Sequence, residues 1–210
     1  MILSLVKKDF MIIKKYILFS IAIAIWIPLF VIGEKLMGVG MFLITVIYAQ
    51  LILEQQISMT ELKYPRVQAL LCSTPYSRRN IVIARYIFFV LIFAGCCILY
   101  GILSLVVPKT IVFSIDIVLI GFFVNVLIYG AYTPFQYKFG IMRMRFIYMA
   151  VLMASTFGAP LIANSMERID LSILAEISVS FWRIALFLIP VIVLMVSAWI
   201  SISIYSKKEL

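Results

Sequence analysis

Six predominantly apolar runs follow one another along the chain: Tyr16–Ile32, Gly38–Leu53, Ile81–Val107, Ile117–Thr133, Phe146–Ala163 and Ile184–Tyr205. None carries a charge near its centre. A helix needs roughly 20 residues to cross the hydrocarbon core of a bilayer. Unpaired backbone groups are costly in lipid, so runs of this kind are expected to be helical. Hydrophobic residues make up 65% of the 210, whereas soluble domains keep apolar usage near half. The expected fold is an all-α integral membrane protein with six transmembrane helices per subunit. It forms a single transmembrane domain over 1–210, with no room for a separate soluble domain. The second run is the shortest, and its helix has scope to continue past Glu54. The third is long enough to tilt or project. The first run reads as a retained span, because it is too long for a signal peptide, has Pro28 near its end, and lacks a small-residue cleavage site after it.

Orientation follows from the lysines and arginines. Fourteen of the eighteen fall on the side of the amino terminus, and only Lys35, Lys109, Arg168 and Arg183 fall on the other. The positive-inside rule places the rich side, with both termini, in the cytoplasm. The net charge of +9 is thus read as a membrane signature, and no nucleic-acid partner is expected. Residues 1–15 read as an interfacial helix, with Ile2, Leu5, Val6, Phe10 and Ile13 on one side and lysines facing headgroups. Residues 165–183 form the expected external loop. Ile169, Ile173, Leu174, Ile177 and Trp182 fit a helix lying on or dipping into the outer leaflet, and equally a solvated loop capped by an interfacial Trp.

The chain lacks the residues for self-contained chemistry. It has no histidine, no G-x-x-x-x-G-K-[ST], no H-E-x-x-H and no G-x-S-x-G. Cys72 and the adjacent Cys96-Cys97 do not make a disulfide framework. The acids Glu34, Glu54, Asp116 and Glu167 read as span ends or loops, and a midplane relay of the kind secondary transporters use is missing. No catalytic residue, no metal site and no cofactor are expected in this chain. Transport by such a protein draws its energy from elsewhere. Gln50, Asn125, Ser155 and Thr156 are candidates to line a translocation path. Their ordinary role would be hydrogen bonding between helices. Ala154 with Gly158, and Ala159 with Ala163, give small-residue spacing that permits close helix approach.

The longest polar interruption lies between the second and third runs, from Glu54 to Tyr86. Pro65 suits the first turn of a helix. Val67, Leu70 and Leu71 then share a face, Thr74-Pro75 ends the helix, and Ser77 caps the next. A short helix with an apolar stripe and basic ends, held at the membrane surface, fits a partner's groove. It also fits a turn lying on lipid headgroups.

The string from Leu71 through Pro75, Ser77, Arg78, Ile81 and Val82 to Arg85-Tyr86 resembles the LPxSRxxIVxxKY string of small bacterial ABC exporter permeases of type 2. The Glu54-Gln55 pair is similar to the acidic pair that opens the same loop in those proteins, and Leu5, Asp9, Phe10, Lys14 and Lys15 are similar to their first interfacial helix. Thr74 stands where the family often has Leu, Gln55 for the second acid, and Arg85 for Lys. The nearest group it resembles is the membrane subunit of phenol-soluble-modulin exporters.

The resemblance implies a cytoplasmic coupling helix within residues 54–80, docking a separate cytoplasmic ABC ATPase through Arg66, Val67, Leu70, Leu71, Thr74, Pro75, Arg78 and Arg79. ATP and magnesium would sit on that partner. It also implies a second permease copy or close paralogue, paired through the second and fifth helices, in a bacterial plasma membrane. The apolar spans with many Phe and Met, and the small external surface, suit an amphipathic or hydrophobic cargo, of which peptide is the leading candidate. The rival function is a non-transporting membrane anchor or assembly protein that recruits a cytoplasmic partner. An intramembrane enzyme ranks behind both, because its residues are missing.

Overall fold

The computed structural model describes residues 4–14, 16–17, 39–63, 78–106, 114–144, 146–151, 153–154 and 179–207. These residues are helical apart from turns and caps. Among the described residues, four helices are long and apolar enough to cross a membrane: α1 (Val39–Lys63), α2 (Arg78–Val106), α3 (Ile115–Phe139) and α4 (Val179–Ser206). They correspond to the second, third, fourth and sixth apolar runs. Most of the first run lies outside the described residues, as do the later part of the fifth, the proposed coupling helix with Arg66 to Pro75, and Ser155 and Thr156.

Helix α1 continues past Glu54, as the shortness of the second run left open, and ends at Lys63, because Leu53 and Ile57 continue its buried face. Helix α4 begins at Val179, so the end of the 165–183 stretch, with Trp182 and Arg183, is helical, and residues 165–178 lie outside the described residues.

Side-chain contacts fix the helix directions. Helices α1 and α3 run parallel, since Phe42 meets Gly121 near their amino ends and Ser58 meets Gln136 near their carboxyl ends. Helix α2 runs against both. Its Phe93 and Tyr100 pack on Phe42, while its Arg85 pairs with Glu54. Helix α4 runs parallel to α3, in a register kept by Asp116 with Arg183, Phe122 with Phe187, Gly130 with Ser197, and Tyr137 with Tyr205. One end of the bundle therefore gathers the last turns of α1, α3 and α4 and the first turn of α2. Lys63, Arg78, Arg79, Lys138 and Lys207 all lie at that end.

Local chemistry explains the ends of α3. Ser114 caps its start, accepting the Ile117 N–H at 3.4 Å. Gly140 ends it at φ 84°, a conformation L side chains rarely adopt, and its N–H reaches the Gln136 carbonyl at 3.0 Å. Helical residues resume at 141, and Met144 and Tyr148 return along α1 to join Ile47 and Leu51.

Helix α1 is the central element, with 67% of its span buried against 22% for α4. Phe42 is fully buried among Phe93, Tyr100 and Ile117, and the missing Cβ of Gly121 is what lets its ring approach α3. Helix α4 presents Phe187, Ile192, Met195 and Trp199 outward. The amino-terminal helical residues pack Leu5, Val6 and Ile13 against Leu53, Ile57, Ala84 and Phe88. Phe10 is 54% exposed, and Asp9 occupies the inward position. The i, i+4, i+8 row of Leu5, Asp9 and Ile13 defines the buried stripe.

Candidate functional site

Of the path candidates, the structure places Gln50 on α1 and Asn125 on α3, at 1% and 2% exposure. No hydrogen bond joins them. Both polar atoms of the Gln50 amide, and the Asn125 Nδ2, have no hydrogen-bond partner among the described residues. Buried amides in this condition are costly unless water or another group reaches them. Neither lines an open surface of the subunit. Of the docking candidates, Arg78 and Arg79 form the first turn of α2, directly after residues 64–77.

A seam of buried polar groups that the sequence reading missed occupies the half of the bundle nearer the basic end. Its centre is an ion pair. Arg85 Nη1 donates to Glu54 Oε1 at 2.9 Å, with side chains only 5% and 2% exposed. Both residues lie within candidate membrane spans. Glu54, read as a span end, and Arg85, near the start of the third run, each sit inside a helix, and they neutralise one another across the α1–α2 contact. Tyr129 Oη of α3 donates to the Arg85 carbonyl at 3.4 Å, and its ring stacks on Phe89 of α2 at 4.1 Å. One turn beyond Glu54, Ser58 Oγ accepts from Gln136 Nε2 at 2.5 Å. Helices α1 and α2 are thus each tied to α3 within about one turn of the ion pair.

A second network binds α4. Pro134 lies inside α3 and has no N–H to give the carbonyl four residues earlier, which is that of Gly130. Ser197 Oγ of α4 supplies the missing donor at 2.7 Å. Ser197 Oγ also lies 2.7 Å from Tyr86 Oη, which is 3.0 Å from Ser201 Oγ. Each hydroxyl has one proton. Since the Ser197 proton is committed to a carbonyl, Tyr86 must donate to Ser197 and Ser201 to Tyr86. The bonds therefore run in one direction, Ser201 to Tyr86 to Ser197 to the Gly130 carbonyl. Thr133 bonds within its own helix, to the Tyr129 carbonyl at 2.8 Å.

At the opposite end, Arg183 pairs with Asp116 through two bonds of 2.7 and 2.9 Å, both side chains being exposed. This bidentate contact joins the first turns of α3 and α4.

The components of the seam are directional contacts between helices, suited to fixing register and transmitting displacement. Comparison with known proteins adds one finding: the family model described as "ABC-2 family transporter protein" matches residues 4–206. No curated protein and no solved structure matches the chain.

Proposed function

The chain belongs to the ABC-2 family of transporter proteins, and from that premise we propose that it is the transmembrane permease subunit of an ATP-driven exporter. A separate cytoplasmic ABC ATPase hydrolyses ATP with magnesium, and this chain hydrolyses none. The observation that carries the reading is positional. Helices α1 and α2 end and begin at the basic end of the bundle, on either side of residues 64–77. That end is the cytoplasmic one under the positive-inside rule, in the plasma membrane of a bacterium. The segment holding Arg66, Val67, Leu70, Leu71, Thr74 and Pro75 is then presented to the ATPase with Arg78 and Arg79 beside it. ATP-driven closure of the ATPase pair pushes on this segment, and the helices rearrange between two states.

Two permease copies, or this chain and a close paralogue, surround one path. The cargo is amphipathic or hydrophobic, and a peptide is preferred, in keeping with the resemblance to phenol-soluble-modulin exporters. A soluble charged cargo would need matching charges along the path, and the one buried charge pair in the described spans is already self-neutralised.

The test is the pair Leu70→Glu and Leu71→Glu, made together. Placing unpaired charges in a buried contact costs several kcal/mol. The variant should insert normally, yet lose co-purification of the ATPase and the stimulation of ATP turnover by amphipathic helical peptides in liposomes. Normal association and export by this variant would remove the coupling assignment. Stimulation by sugars alone would remove the cargo assignment.

A further inference from the structure

We propose that the Glu54–Arg85 ion pair is the joint that makes the two helices flanking residues 64–77 move as one body and carry that motion to α3. The inference rests on the permease reading and names the residues of this chain that transmit the displacement.

Stability alone is a poor reason for the pair. Desolvating two charges offsets most of their attraction, and well-packed apolar replacements of such pairs are often as stable or more so. Charges at membrane depth are costly and tend to mark function. The position of these two is specific. Glu54 lies nine residues before the end of α1 at Lys63, and Arg85 seven residues after the start of α2 at Arg78. At about 1.5 Å per residue, the pair clamps the hairpin some 10 to 14 Å in from the loop.

Apolar neighbours such as Leu53, Ile57, Ala84 and Phe88 supply adhesion without direction. An ion pair at 2.9 Å supplies direction, because a slip of one turn, about 5.4 Å, would break it. Within about one turn of the pair, α3 holds both helices, α2 through Tyr129 on the Arg85 carbonyl and α1 through the Ser58–Gln136 bond. A push on the loop therefore moves α1 and α2 together and reaches α3. Without the joint, α1 and α2 would slide past one another and absorb the motion.

The experiment uses the full chain in lipid, with Cys72, Cys96 and Cys97 replaced by Ala and spin labels on cysteines placed at Lys63 and Arg79, both exposed. The distance distribution between the labels reports the joint without any ATPase. Versions that keep Lys63 and Arg79, reconstituted with the ATPase, report coupling as peptide-stimulated ATP turnover. Three forms are compared with the parent: Glu54→Gln, the swap Glu54→Arg with Arg85→Glu, and the apolar pair Glu54→Leu with Arg85→Met.

The parent should give one narrow distance. Glu54→Gln should broaden it and cut stimulation by about tenfold, a typical coupling energy, while the ATPase still co-purifies. The swap should recover a narrow distance and part of the stimulation. The apolar pair is the decisive form: it should be as resistant to unfolding as the parent and still be broad and uncoupled, which a purely structural role does not predict. A parent-like distance and parent-like stimulation in the apolar pair would overturn the proposal, even if Glu54→Gln fails to insert. Failure of the parent itself to recruit an ATPase would instead strike the permease reading, and the label distances would still decide whether the pair is a clamp.

Discussion

Ser197 and Pro134 lie on different helices, yet their substitutions should not be additive. Pro134 deprives the Gly130 carbonyl of its helical donor, and Ser197 replaces that donor from α4 at 2.7 Å. In Ser197→Ala the carbonyl is left unsatisfied in a buried site, which costs about 1–3 kcal/mol. The variant also removes the acceptor for the Tyr86 hydroxyl, and a hydrogen bond between membrane helices contributes about 0.6 kcal/mol on average. The single substitution should therefore destabilise by roughly 2 kcal/mol.

In a Pro134→Ala background, residue 134 regains an N–H and bonds Gly130 within α3. Ser197→Ala then loses only the Tyr86 contact, and its cost should fall to about 0.6 kcal/mol. The coupling is about 1 kcal/mol or more, within the range of a double-mutant cycle between residues in one network. Equilibrium unfolding in mixed micelles, followed by the fluorescence of Trp182 and Trp199 on α4, measures all four forms. Equal costs of Ser197→Ala in the two backgrounds would refute the argument that the serine stands in for the missing proline donor.

Gly121→Ala places a methyl group against the buried Phe42 ring. It should destabilise by about 1–3 kcal/mol of overpacking, less about 1 kcal/mol of gained helix propensity, and Phe42→Leu should relieve it in the same titration. Asp116→Asn breaks an exposed pair, and such pairs contribute little, so the unfolding midpoint should not move; a clear drop would mean that this end of the bundle is less open to water than its exposure indicates. In a background lacking the three native cysteines, a cysteine at Lys109 or Arg168 should react with an impermeant thiol reagent added to intact cells, whereas one at Arg143 should not. The opposite pattern would reverse the orientation.

The four long helices were legible because an apolar run of membrane length has few alternatives. The polar seam was not. Glu54 follows a long apolar stretch and looks like its end, and its partner stands 31 positions away across a polar loop, so no local pattern pairs them. That the helix could run past Glu54 was open from the shortness of its apolar run, and Leu53 and Ile57 continue the helical period on either side; what stayed hidden was the partner. The amino-terminal helix shows the same limit: the row through Leu5 and Ile13 that packs on the bundle passes through Asp9, while Phe10 stays exposed. Gln50 and Asn125 were located as intramembrane polar groups, but whether they face a path or a neighbouring helix depends on helix rotation, which their own types do not encode. The Ser197–Gly130 contact was readable only in half: Pro134 announces an orphan carbonyl, while the choice of donor belongs to tertiary packing.

The directions of the helices carry a consequence for charge. Helices α1, α3 and α4 bring their carboxyl ends to the basic face of the bundle, and each such end has a partial negative charge from its aligned peptide dipoles. Lys63, Lys138 and Lys207 stand at those three ends, where their charges balance the helix dipoles. Helix α2 is the exception. It starts at the same face, with a partial positive charge, and it starts on Arg78 and Arg79. Helix electrostatics opposes cations there, so these two arginines work against the element they begin.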